Sequence, residues 1–312
     1  MIVNKKIRKQ LLRSFSRVRK HALGKVSENA RLKNLDTLLK ILKERQKEAR
    51  KAIANEFDEL ISIAYIGVLI FGYLGLALTL DDESENIFPK NWLLEDSIPD
   101  PNDVIGFSFG TISHESHGVL KLVESGLEGP ARSLMRILVE HCCLALVLCS
   151  DKEKLLLYHR AQSPEDARDI WNKHLRPKTI NADLKLIERK LSMHEEAHEL
   201  RQDLYTLYTQ FAHNSVIANL FGSVLTPLED HNMFRSATYG YASASSVVPL
   251  VDLCTILIYT YTSFFRIIQE IHHFKIPTHG EHMPFLYAML LPFNELLATV
   301  SKYDDYLKME PP

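Results

Sequence analysis

The chain has 312 residues, 46% of them apolar, with 12 Gly and 13 Pro; this excludes a disordered chain and leaves too little turn chemistry for an all-β fold. Four Cys, at positions 142, 143, 149 and 254, lie in apolar helical stretches without CxxC spacing, which excludes a disulfide scaffold and predicts reduced core thiols. The net charge of −2 hides an asymmetry: residues 1–51 hold 17 Lys and Arg against 4 Asp and Glu, a balance of +13, and the rest hold 20 against 35, or −15. A basic arm before an acidic body predicts contact with nucleic acid, with anionic lipid, or with the protein's own acidic surface.

Residues 1–55 are expected to form this arm as one or two amphipathic helices, with Leu38, Leu39, Ile41 and Leu42 on the apolar side. Few aromatics accompany them, so the arm is suited to phosphates rather than to stacked bases. The basic start, with no early apolar run, predicts no cleavable leader. Residues 60–80, LISIAYIGVLIFGYLGLALTL, carry no charge and are long enough to cross a bilayer of about 30 Å. Two readings stay open: a single span with the arm in the cytoplasm, or a central helix of a cytoplasmic protein, packed closely at Gly67, Gly72 and Gly75. No second span of equal quality is read in the sequence.

The acidic, Pro-containing residues 81–103 are the best boundary, which divides the chain into residues 1–55, 56–103 and 104–312. A helix over 107–126 carries His114 and His117, and Gly126 and Gly129 close it. The next helix, GPARSLMRILVEHCCLALVLC, places Arg132, Arg136 and Glu140 at successive i,i+4 positions on an oily rod. An ion in such a setting must be paired, so Arg136 and Glu140 are expected to meet, as a register device or as part of a pocket for phosphate. Ser163-Pro-Glu-Asp starts another helix. A long charged helix is predicted over 180–208, a polar loop over 227–240, an apolar helix over 244–274 interrupted by Asp252, and a last helix over 284–308.

In LYTLYTQFAHNS, Tyr205, Thr209 and His213 share one helix face, and packing against the Arg-bearing helix would bring Thr209 and His213 to Arg136 and Glu140. GLEGPARSLMRILVEHCC followed by YTLYTQFAHNS resembles an uncharacterised bacterial family of helical domains of unknown function. Its pattern is Gly, Arg-x-x-x-Glu, then Tyr-x-x-x-Ser/Thr-x-x-x-His some seventy residues later, here over about residues 105–275. Both segments are also distantly similar to HEPN domains, helical bundles many of which are ribonucleases of bacterial toxins and defence systems. That resemblance implies an all-α, HEPN-like bundle that binds RNA and cleaves it without metal. Arg132 and Thr209 would hold phosphate, Glu140 would orient Arg136, and His213 would transfer a proton. The family's Arg-x(4–6)-His spacing is met literally by Arg136-Ile-Leu-Val-Glu-His141, inside the apolar helix. RNA, a membrane or anionic lipid, and further copies of the chain are the expected partners, with no cofactor. Membrane attachment without catalysis and a structural scaffold remain the alternative functions.

His194-Glu-Glu-Ala-His198 matches HExxH, but charged flanks on all sides predict a surface helix rather than a zinc-protease helix. His279 and His282, with His272 and His273 nearby, lack the further ligands a metal site needs. No P-loop, Rossmann fingerprint or nucleophile elbow is present.

Overall fold

A computed structural model of the full chain describes residues 9–10, 28–79, 87–89, 92, 100–161, 163–212, 224–225, 235–236, 241–276, 286 and 288–289. Helix dominates, as composition predicts. The exception among the described residues is one antiparallel pair of two-residue strands, β1 (Val224–Leu225), just before the predicted polar loop, and β2 (Arg235–Ser236), inside it.

Helix α1 (Glu28–Glu56) runs into α2 (Asp58–Thr79) with only a bend at Phe57, whose carbonyl still accepts from Ile61 N–H at 2.9 Å. Ala49, Ile53 and Phe57 are buried and anchor the junction, while Lys40, Lys43, Lys47, Arg50 and Lys51 are exposed.

Helix α3 (Pro101–Glu124) begins six residues before the predicted start. Asp100 caps it by accepting from Asn102 N–H at 2.8 Å, and Pro101 takes the first turn, where a missing N–H costs nothing. The stretch read as a boundary joins two helices that pack antiparallel: Gly75 lies by Gly106, Ser113 Oγ donates to Val68 O at 2.8 Å, and Tyr65 OH donates to Glu124 at 3.0 Å. A Cβ on Gly75 would stand 2.9 Å from Gly106 O, so the small residues permit this approach. The buried Asn102 side chain also accepts from Phe88 N–H and donates to Phe88 O, both at 2.9 Å, tying the connection to α3.

Gly126, at φ +69°, turns the chain into α4 (Glu128–Ser150). Leu127 N–H closes onto Leu122 O at 2.9 Å, and the Tyr241 backbone packs where a side chain at Gly126 would stand. Helix α4 is the axis of the bundle, and every residue from Cys142 to Cys149 is buried. Around it lie α3, α5 (Lys152–His159), α7 (Pro177–Lys190), α8 (Glu195–Ala212) and α9 (Val247–Arg266). Helix α6 (Pro164–His174) starts at the predicted Ser163, whose hydroxyl accepts from Asp166 N–H at 3.1 Å. Helix α9 is entered through a short 3-10 turn, Ala244–Ser246, and ends in a π turn, Ile267–Ile271.

Two expectations are corrected. The single long helix over 180–208 is two helices: the chain breaks between Lys190 and Glu195, with Ser192 at φ 48° and Met193 N–H bonded to Glu188 O. The one very apolar helix becomes three of sufficient length and composition to cross a membrane: Asp58–Thr79, Glu128–Ser150 and Ala244–Ile271, with mean hydropathy 2.2, 1.7 and 1.5. In the same order, 61%, 67% and 67% of their apolar windows are buried inside the protein. A central helix surrounded by others is apolar all round for the same reason that a span is. The predicted helix over 284–308 lies outside the described residues except for helical positions 286, 288 and 289.

Candidate functional site

The i,i+4 stripe on α4 faces α8, which runs antiparallel to it, and each basic residue of the stripe meets an aromatic one. The Arg132 guanidinium lies 5.1 Å from the Phe211 ring centroid and that of Arg136 lies 3.7 Å from the Tyr205 centroid. Arg136 Nη2 reaches Glu140 Oε1 at 2.7 Å, the expected pairing, and also donates to Tyr205 OH. The Arg136 side chain is 10% exposed and that of Glu140 26%. Nη1 of Arg136 is buried and makes no hydrogen bond among the described residues. Burial raises the Tyr205 pKa against the opposing pull of Arg136, so the phenol stays protonated at neutral pH.

One turn earlier, Glu128 is buried and accepts from Ser245 Oγ and Ser246 Oγ, both at 2.6 Å. Arg132 lies 3.9 Å from Glu128 and donates to Ser245 O at 3.2 Å. Asp252, the charge that interrupts the apolar run of α9, accepts from Tyr208 OH at 2.5 Å. Burial pushes its pKa from the ordinary 3.8 up to about 6, although Tyr208 and Arg132 pull the other way.

Of the residues expected together, Arg132, Arg136, Glu140 and Tyr205 are brought to one seam. The Thr209 hydroxyl donates to Tyr205 O of its own helix at 2.6 Å, and the buried Tyr208 beside it donates to Asp252 of α9. His213 lies outside the described residues. His141 is not part of the seam. Five positions beyond Arg136, it has rotated to the α3 side, where Nδ1 meets both Glu115 oxygens at 2.8 Å. The Glu115 hydrogen bond raises the His141 pKa. The Arg-x(4)-His spacing therefore does not gather Arg and His into one site.

The HExxH string does not form a metal site. His194 precedes α8 and is exposed, while His198 turns inward to Glu188 Oε2 at 3.0 Å. No group of three metal-ligating side chains occurs among the described residues, and His279 and His282 lie outside them.

The His198 contact belongs to a polar cluster that the sequence reading missed. Arg201 grips Glu188 with Nε at 2.9 Å and Nη2 at 3.2 Å, and its Nη1 donates to Asn181 Oδ1. Tyr259 OH from α9 donates to Glu188 Oε1 at 2.6 Å. The Arg201 and Glu188 side chains are 0% and 6% exposed. Burial pushes the Glu188 pKa up, but Arg201, Tyr259 and His198 overcome it and leave the carboxyl below its usual value. The only sequence signal was two charges thirteen residues apart on helices that otherwise look solvated.

All four Cys are buried, and burial raises every one of their pKa values, so none is an activated thiolate. Chemically, the seam can hold helices in register and offer one further Arg136 donor. Comparison with family models, curated proteins and solved structures found no significant match at any of the three levels.

Proposed function

We propose that this protein is an RNA-binding helical effector, of the toxin or antiviral-defence type that the HEPN resemblance implies, which contacts RNA through its basic arm. In this reading the α4 seam holds the bundle together and does not cleave the ligand. The observation that carries it is the basic stripe on α1. Lys40, Lys43, Lys47 and Lys51 recur at helical spacing, all are exposed, and they span about 16 Å, enough to follow several phosphates. Against cleavage at the seam, the Arg136 guanidinium is enclosed between Glu140 and Tyr205, and its Nη1, without a hydrogen bond among the described residues, is buried.

The test is fluorescence anisotropy of a labelled single-stranded RNA with three proteins: the native chain, a triple variant Lys43→Glu, Lys47→Glu, Lys51→Glu, and Arg136→Met. The reading expects the triple variant to lose affinity and Arg136→Met to keep it, with the RNA intact throughout. Loss of affinity or of RNA cleavage in Arg136→Met, with the triple variant unaffected, overturns it.

A further inference from the structure

At the end of α4 remote from Arg132, a cavity of about 510 Å³ opens between α4, α5, α7 and the π turn after α9. That volume falls in the range of small-molecule sites, about 300–1,000 Å³. Its apolar surface comes from Val147, Leu186, Ile187 and Ile271. Trp92 and His272 form an aromatic wall, centroids 5.2 Å apart and edge to face, and His272 is itself backed by Phe274 in a stack at 5.2 Å.

Lys152 and Lys190 bring two ammonium groups to the rim, where an anion can meet them. Asp151 caps α5, accepting from the Glu153 and Lys154 N–H groups at 3.0 and 3.2 Å, and Asp183 is paired with Lys154. Lys154 thus offsets Asp183, and the remaining carboxylates, Asp151 and Glu153, are matched by the ammonium groups of Lys152 and Lys190. Polarity on the aromatic wall is also defined. His272 Nε2 lies 2.8 Å from Cys149 O, and a carbonyl can only accept, so the proton is on Nε2. Burial lowers the His272 pKa, opposed by the Cys149 bond and reinforced by His273 and Lys190. The ring is therefore neutral at pH 7, and Nδ1 is left as an acceptor for a ligand N–H.

We propose that this cavity binds a mononucleotide, its phosphate held by Lys152 and Lys190 and its base against the wall of Trp92 and His272. The combination of an aromatic face, an acceptor at its edge and two ammonium groups is the chemistry by which proteins hold single nucleotides. The source is either a free nucleotide or the terminal residue of an RNA strand. The site stands apart from the α1 stripe and does not depend on RNA binding there.

Trp171 on α6 is the chain's other tryptophan, so Trp171→Phe in the full-length protein leaves Trp92 as the sole indole. Binding is measured by equilibrium dialysis, and Trp92 fluorescence locates it. The probes are adenosine monophosphate, adenosine, and a short 5′-phosphorylated single-stranded RNA, each with and without Lys152→Glu, Lys190→Glu. Saturable binding of the monophosphate with a change in Trp92 emission, weakened at least about tenfold in the lysine variant and in adenosine, supports a free-nucleotide site. The same pattern with the RNA alone supports a strand-end site. The proposal is overturned by no binding of either phosphate probe up to about 10 mM. It is overturned equally by binding that leaves Trp92 unchanged, or by binding that ignores the two lysines or the phosphate.

Discussion

Removing Arg201 is predicted to cost more stability than removing Arg136 of the α4 stripe. Its side chain is 0% exposed and grips Glu188 through two nitrogens, at 2.9 and 3.2 Å. Arg201→Met would leave the Glu188 carboxylate buried with Tyr259 and His198 as its remaining partners. Breaking a buried pair from one side costs about 3–5 kcal/mol, and the two surviving contacts place this case near about 3. With a urea dependence of about 3 kcal/mol/M for a chain of this size, the unfolding midpoint followed by far-UV circular dichroism should fall by about 1 M. The double variant Arg201→Met, Glu188→Leu removes the stranded charge as well. It should recover most of the loss, because an apolar pair of similar volume is often neutral or stabilising there. A single variant that loses less than about 1 kcal/mol, or a double variant no better than the single, would refute the argument that desolvation dominates this cluster. The pH dependence has a definite sign. The folded Glu188 pKa lies below the ordinary 4.5, so the contribution of this carboxylate is complete above that value and is lost as the pH falls through the lower folded value.

Asp252 should behave in the opposite sense. Its folded pKa is raised from 3.8 to about 6, so the folded state loses stability as the pH rises between those values. Asp252→Asn should therefore stabilise the protein at pH 8 by about 1–3 kcal/mol and do little at pH 4, read from thermal or urea midpoints; an equal effect at both would contradict the assignment. At the α2–α3 crossing, Gly75→Ala should destabilise by about 1–3 kcal/mol, since its Cβ would meet Gly106 O at 2.9 Å. Gly110→Ala, with no neighbour within 4 Å of its Cβ, should be neutral or stabilise by about 0.5–1 kcal/mol, and equal effects at the two glycines would mean the helices do not approach as described. Arg136→Ala should cost about 1–2 kcal/mol, below the Arg201 loss, because Glu140 is 26% exposed and can be rehydrated; urea midpoints in the reverse order would contradict the difference in burial.

The helical class, the Arg132/Arg136/Glu140 stripe and the Gly126 turn were legible because each rests on local spacing or a single backbone requirement. The Asp100-Pro101 start of α3 was equally legible in principle, but it was hidden by a stretch that looked like a domain boundary. What could not be read was which of several charges turn inward. Thr209 and Tyr208 are adjacent, and only the packing of α8 against α9 gives Tyr208 its Asp252 partner while Thr209 bonds its own backbone. Glu188 and Arg201 lie among many solvated charges, so their pairing emerges only once the break at Ser192 folds α8 back on α7. Hydropathy likewise cannot tell α4, an axis surrounded by other helices, from a helix surrounded by lipid.

The central claim is that RNA is held by the α1 stripe and not by the seam, and the salt dependence of RNA affinity tests it most directly. For single strands the slope of log K against log salt is about −0.7 per phosphate contact, so reversing Lys43, Lys47 and Lys51 should reduce its magnitude by about 2. The predicted result is that reduction in the triple variant, with the native slope retained in Arg136→Met. A native slope in the triple variant, or a reduced slope in Arg136→Met, would contradict the account.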